Sequence, residues 1–218
     1  PCCAISEAMQ RNGLDKDKIT ILPHGIPLPA SVPSFPPVIN GKIKFFYVGR
    51  ICYVKGLHIL LQAFSSVNNP NIELHLIGGT GNKTERRYEH QLKKQYTSDP
   101  RIKWHGKVAP EQIFNTIKDF HVLVHPTICL EIFGLNIAES LAMGKPVLAT
   151  RCGGAEMQIE EGVNGWLVEP NDVEELTQKI QEIAIHFNHH KPENSTSKVI
   201  SIQEHCKSLI RLYEEVTH

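Results

Sequence analysis

HVLVHPTICLEIFGLNIAESLAMGKPVLAT, residues 121–150, decides the fold. HVLVHP (121–126) is an apolar run of strand length. GLNIAESLAMG (134–144) has helical spacing and closes on Gly144, a residue that leaves a helix at little cost. PVLAT (146–150) is apolar again. A strand, a helix and a strand in so short a span make one parallel crossover unit. Within it, Glu131 and Glu139 bracket a Phe-Gly-Leu turn where strand gives way to helix.

The same alternation extends in both directions. KIKFFYVG (42–49), NIELHLIGG (71–79), RIKWHG (101–106) and GWLVEP (165–170) read as four more strands. After Gly56, the residues Leu57, Leu60, Leu61, Phe64 and Val67 share one helical face. ERRYEHQLKKQY (85–96) is a polar helical stretch, and PEQIFNTIKDF (110–120) is a helix with Pro110 in its first turn. In 171–187, Asn171 and Glu174 have capping-box spacing, and Val173, Leu176, Ile180 and Ile183 line one face. The pattern predicts an α/β fold over 41–187: a doubly wound parallel sheet, Rossmann-like, with helices on both faces. Residues 1–40 read as an inter-domain segment and linker, irregular after a short helical start, with six prolines between Pro23 and Pro37. A polar break follows at 188–200, including His189-His190. A final amphipathic helix over 201–216 carries Ile202, Cys206, Leu209, Leu212 and Val216 along one side and completes the segment 188–218.

Composition excludes several function classes. Lys plus Arg equals Asp plus Glu at 23 each, so bulk charge favours neither nucleic acid nor an anionic membrane surface. No apolar run approaches the roughly 20 residues of a transmembrane segment. The six cysteines lack C-x-x-C spacing; they read as reduced thiols of a cytoplasmic protein packed as small hydrophobes, with no metal expected. The chain opens PCCAISEAMQ, without Met or signal peptide, which reads as a piece of something longer.

Ligands of open α/β sheets bind at the carboxyl ends of the strands. There, GRICYVKG (49–56) sets Arg50 and Lys55 before a helix N-terminus, an arrangement suited to a diphosphate. Solvated surface cations are the other reading of the pair. GGTG, beginning at Gly78, is permissive backbone that could lie near ribose or phosphate, or be a plain turn. Neither G-x-x-x-x-G-K-[ST] nor G-x-G-x-x-G is present, which excludes a P-loop and counts against nicotinamide and flavin cofactors. At the central turn, Gly134 lets a ligand approach the backbone, beside the unpaired amides of a helix start. Glu139, one turn in, can accept hydrogen bonds from two vicinal hydroxyls. Carboxylates beside a diphosphate make sense if they address its sugars: one glutamate for a transferred sugar, one for a ribose, with amides between them for the phosphates. A capped helix with solvated acids is the alternative.

YVGRICYVKG, HPTICLEIFGLNIAESLAMGKPVLATRCGG and EGVNGWLVEPND resemble, in order, the donor-binding domain of family-four retaining glycosyltransferases. The similarity runs over 41–187; E-x7-E followed by A-M-G-K-P-V is its most specific part. ISEAMQ and KITILPHGI (18–26) are similar to the segment that joins the family's two domains, with His24-Gly25 where the family has Asn-Gly, and LIRLYEEV is similar to its C-terminal crossover helix. The resemblance implies the C-terminal half of a GT-B architecture and transfer of a sugar from a UDP-, GDP- or ADP-linked donor to an acceptor hydroxyl, without cofactor or metal. On the matching positions it implies Arg50 and Lys55 against the diphosphate and Glu131 on the sugar. It also implies backbone amides from Phe133, Gly134 and Leu135, Glu139 on the ribose, Gly49 and Gly78 at the strand ends, and Lys107 and Val108 around the base.

Two departures accompany it. The family often has a glutamate three positions after a Gly-Gly, whereas GGAE places Glu156 two after Gly154, and Glu156 receives no role. The first Rossmann domain, which would bring an acceptor glycan or lipid-linked sugar, is missing. The chain is thus expected to bind donor without transferring sugar by itself, in a cytoplasmic enzyme that is peripherally attached to a membrane if its acceptor is lipid-linked. A non-catalytic nucleotide-sugar-binding module and a GT-B-fold epimerase are the alternatives.

Overall fold

A computed structural model describes residues 2–32, 34–187 and 199–217. The six apolar runs form the strands β1 (Ile43–Val48), β2 (Ile72–Ile77), β3 (Ile102–Gly106), β4 (Val122–His125), β5 (Val147–Thr150) and β6 (Gly165–Val168). They make one parallel sheet in the order β3-β2-β1-β4-β5-β6. Strand order therefore steps away from the β1–β4 pair in both directions, which opens a crevice at their carboxyl ends.

The helices are α1 (Cys3–Arg11), α2 (Leu57–Ser66), α3 (Lys83–Gln95), α4 (Ile113–Ile117), α5 (Leu135–Ala142), α6 (Gly154–Gln158), α7 (Val173–His186) and α8 (Ile202–Thr217). α2, α7 and Leu92 of α3 bury their apolar sides on one face of the sheet, around Phe45, Leu74, Val124 and Leu148. On the opposite face α4, α5 and α6 pack around Phe46, Ile77, Leu123 and Ala149. β1, β2, β4, β5 and β6 are thus covered on both sides, which is why they read as largely continuous apolar runs, whereas the edge strand β3 alternates, with Lys103 and His105 exposed. The early segment is partly docked: Ile26 is buried and pairs with Ser201, and Cys2 is buried beside Gly153.

α3 forms despite its polarity. The Asn82 side chain accepts from the Glu85 amide at 2.9 Å and caps its first turn. Its solvent side is uniformly basic, with Lys83, Arg86, Arg87, His90, Lys93 and Lys94 all exposed, and successive helical angles place all six within about a third of the circumference. Among the described residues only Lys93 of these six pairs with an acid, Glu89 at 2.7 Å.

Four readings need amending. Asn171 adopts a left-handed conformation (φ 64°), and the cap of α7 is Asp172, which accepts from the Glu175 amide at 2.8 Å. The 110–120 helix is a 3-10 turn, Pro110–Gln112, followed by five α-helical residues. α6 was not foreseen. α8 forms, but of its apolar side Leu209 and Leu212 are half-buried while Ile202, Cys206 and Val216 are exposed. Of the cysteines, Cys2, Cys52 and Cys152 are buried, Cys129 is half-buried, and Cys3 and Cys206 face solvent. The polar break, with His189-His190, lies outside the described residues except at 199–200. Among the described residues no helix is long and apolar enough to cross a membrane.

The loops after β1 and β4 meet backbone to backbone. Gly56 is left-handed (φ 68°), and a Cβ there would overlap the carbonyl oxygen of Pro126. Gly162 is also left-handed (φ 77°) but has nothing within 4 Å of that position. Gly162→Ala is therefore expected to cost only backbone strain, about 1 kcal/mol. Gly56→Ala adds a collision and should lower the thermal midpoint two- to three-fold further than the roughly 2–4 °C expected of Gly162→Ala. Equal shifts in a melting experiment would show that the two loops part freely.

Candidate active site

The crevice at the β1–β4 switch holds a cleft of about 640 Å³. Its walls include Gly49, Arg50 and Lys55 from the loop after β1, Glu131, Phe133, Gly134 and Leu135 from the loop after β4, and Glu139 from α5. An adjoining cavity of about 320 Å³ shares Gly49 and Arg50 and is lined by Gly78, Lys107 and Val108. Every site residue singled out in the sequence thus borders one of two adjoining hollows at the carboxyl edge of the sheet.

The loop carrying Lys55 is fixed by its neighbour. Ile128 donates its amide to Val54 O at 2.9 Å, and the Thr127 hydroxyl donates to the same oxygen at 3.0 Å. Lys55 then reaches across and its ammonium pairs with Glu131 Oε2. The cation expected on a diphosphate and the acid expected on a sugar therefore hold one another in this state. Arg50 lies further out, well exposed, with Nε 3.7 Å from Glu85 Oε1. Tyr47 braces that loop from below by donating its hydroxyl to Arg50 O at 2.7 Å, and burial raises the phenol far above its ordinary range.

Glu131 is held by its backbone as well. Its amide donates to Cys152 O and its carbonyl accepts from the Gly154 amide, both at 2.8 Å, which extends the β4–β5 pairing past the strand ends. α6 supports the next residues: Gln158 Nε2 donates to Phe133 O and, at 3.2 Å, to Gly154 O. Glu156 turns back to accept from the Gly153 amide at 2.8 Å, a capping role within α6. The Phe133 ring is buried with Ile26 and Ala138, which leaves its backbone to the cleft. Gly134 (φ 84°) starts α5, whose first amides have no carbonyl one turn earlier to donate to.

The two glutamates differ electrostatically. The His125 ring and the Lys55 ammonium hold Glu131 down to about 2, against the cost of burial. Burial pushes Glu139 up, and among the described residues its carboxylate has no hydrogen bond or ion pair. An acid in that condition lowers its energy by receiving hydroxyl hydrogen bonds. Among the described residues, no group of three His, Cys, Asp or Glu could hold a metal ion.

Four residues in or beside the two hollows escaped the sequence reading. His125 lies inside what looks like a plain strand, and Asn136 inside a helix start. Glu85, whose Oε2 accepts from the Gly81 amide at 2.6 Å, was signalled by the spacing N-x-x-E from Asn82. His24, from the early segment, lines the cleft and meets the Phe133 ring edge-on at 5.3 Å.

A family model described as glycosyl transferases group 1 matches residues 34–191. A sucrose synthase of Melioribacter roseus is 29% identical over 155 residues, covering 64% of this chain and 19% of that protein. A D-inositol 3-phosphate glycosyltransferase of Corynebacterium kroppenstedtii is 29% identical over 165 residues, covering 73% and 34%. Among solved structures, Anabaena Alr3699/HepE in complex with UDP-glucose superposes with a TM-score of 0.82 at 22% identity, covering 97% of this chain and 62% of that one. Sucrose-phosphate synthase from Thermosynechococcus elongatus gives 0.78 at 25% identity, covering 97% and 56%. The chain thus spans less than half of these curated relatives and about three-fifths of these structures.

The Lys55–Glu131 pair has a pH signature. Glu131 ionises at about 2 in the fold against an ordinary 4.5, so its contribution to stability is complete above 4.5 and lost as pH falls toward 2. Lys55→Met, which keeps the stem and removes the charge, should be less stable than wild type by a constant margin from about pH 8 to 5. That margin should narrow between 4.5 and 2. Urea titrations across this range read it directly; a margin flat to the acid end would mean that Lys55 contributes packing alone.

Proposed function

The chain belongs to the glycosyl transferases group 1 family, and we propose that it is the donor-binding domain of a retaining, family-four glycosyltransferase. The carrying observation is convergence: Lys55, Glu131, Glu139 and the start of α5 face one cleft at the switch point of the sheet. In this reading Arg50 and Lys55 take the donor diphosphate, with amides from Phe133, Gly134 and Leu135 around phosphate and sugar. Glu131 accepts from hydroxyls of the transferred sugar and Glu139 from those of the ribose. The base occupies the smaller cavity, by Gly78, Lys107 and Val108. A carboxylate on the sugar side repels a uronate, so the sugar is an uncharged one. HepE holds UDP-glucose, which makes a UDP-hexose the first donor to test.

Transfer with retention proceeds on the face the leaving group departs from. The bond between the anomeric carbon and the phosphate oxygen breaks, the acceptor oxygen bonds to that carbon, and the acceptor's proton passes to the leaving phosphate. Arg50 and Lys55 stabilise the charge that builds on the diphosphate, an electrostatic contribution worth about 2.7–4 kcal/mol when one such donor is removed. The acceptor, a glycan or lipid-linked sugar, would enter from a further domain. We place the complete enzyme in the cytoplasm, with peripheral membrane attachment where the acceptor is lipid-linked.

Calorimetry with UDP, GDP and ADP tests the site. One nucleotide should bind and be lost in Lys55→Ala. Wild type should bind the ribonucleotide more tightly than its 2′-deoxy form, and Glu139→Gln should reduce that preference severalfold. No binding of any nucleotide, or an unchanged preference in the variant, would remove the donor site or the ribose role respectively.

A further inference from the structure

His125 ends β4, lies 3% exposed, and its two ring nitrogens have unlike surroundings. Nδ1 is 3.0 Å from Asn136 Nδ2, and the same Nδ2 is 2.7 Å from Val48 O. A carbonyl oxygen only accepts, so the Asn136 atom facing it must be the amide NH2. His125 Nδ1, facing that NH2, must accept, and the ring's single hydrogen sits on Nε2. Nε2 has no hydrogen-bond partner among the described residues. The nearest acid is Glu131 Oε2 at 3.6 Å, the oxygen that Lys55 already holds.

A buried N–H left without an acceptor is costly, and one beside a carboxylate has its acceptor within a small movement. We propose that His125 is the positioning residue for Glu131. Asn136 locks its ring with Nε2–H toward Oε2, so that Glu131 stays in place, Oε1 toward the sugar, when the donor diphosphate draws Lys55 away. Asn136 makes this lock from the first turn of α5 while tying that helix to the end of β1. The orientation of the sugar-binding acid is therefore set through two neighbouring side chains that line the same cleft. This assignment rests on the donor-site reading above, and concerns the part of it that recognises the hexose.

Two substitutions separate the nitrogens. In His125→Asn, Oδ1 can stand where Nδ1 was and keep the bond from Asn136, but nothing replaces Nε2–H. In His125→Gln, the amide nitrogen reaches as far along the side chain as Nε2. The probes are whichever of UDP, GDP and ADP binds wild type, and its glucose, galactose and mannose conjugates, titrated by calorimetry. All three proteins should bind the bare nucleotide alike, which also reports that they fold. The gain in affinity that the hexose adds should survive in Gln and fall by about ten-fold in Asn, as for a lost hydrogen bond to a charged group. An Asn variant that keeps the hexose gain, a Gln variant that loses it equally, or a wild type that gains nothing from any hexose overturns the role of His125. Absence of nucleotide binding in wild type overturns the donor site itself.

Discussion

The contact of Gly56 with the Pro126 carbonyl governs the site more than any side chain does. It lets two loops from non-consecutive strands lie against one another, with Val54 O as their common acceptor. Everything of chemical interest is then placed by short connections: Lys55 precedes Gly56, and Glu131 follows a few residues after Pro126. A side chain in place of that hydrogen would separate the cation from the acid by the width of a methyl group. Parallel sheets bring loop ends together generically, but at this pair the distance is set by atomic contact.

Around that contact the polar groups fall into two populations. Those of the scaffold are satisfied: Gln158 on Phe133 and Gly154, Glu156 on Gly153, Tyr47 on Arg50. Those facing the cleft are not. Glu139 is partnerless among the described residues, His125 Nε2 lacks a hydrogen bond, and the first amides of α5 look outward. Unused bonding capacity gathered in one hollow, on braces that are themselves satisfied, is what a preorganised binding site requires. The Lys55–Glu131 pair sits between the populations, since its two charges are matched only until a stronger anion arrives.

Legibility followed the range of the determining interactions. The strands, α2, α5 and α7 were visible because burial on both faces makes a continuous apolar run, and burial along one stripe imposes a period, among neighbouring residues. Lys55, Glu131 and Glu139 were visible because strand ends are where α/β folds keep their chemistry. α6 escaped because five residues cannot show a helical period, and its role comes from Phe133, far away in the chain. The cap of α7 moved by one residue because Asn171 and Asp172 are both good caps, and only the left-handed turn at Asn171 chooses between them. His125 was invisible for a related reason. In sequence it is one more member of a buried strand, and its meaning depends on which nitrogen Asn136 occupies.

The basic face of α3 gives this neutral chain a direction. That helix begins at the rim of the cleft, where its inner residue Glu85 approaches Arg50, and its outer cations continue away from there. Equal totals of acid and base therefore conceal an asymmetric field, felt over a Debye length of about 8–10 Å at physiological salt. On the proposed donor-site reading, a nucleoside diphosphate diffusing nearby would be drawn to the end of the molecule where the cleft opens, before any specific contact forms. Added salt would then lengthen the search while leaving the residence time, set by short contacts inside the cleft, almost unchanged.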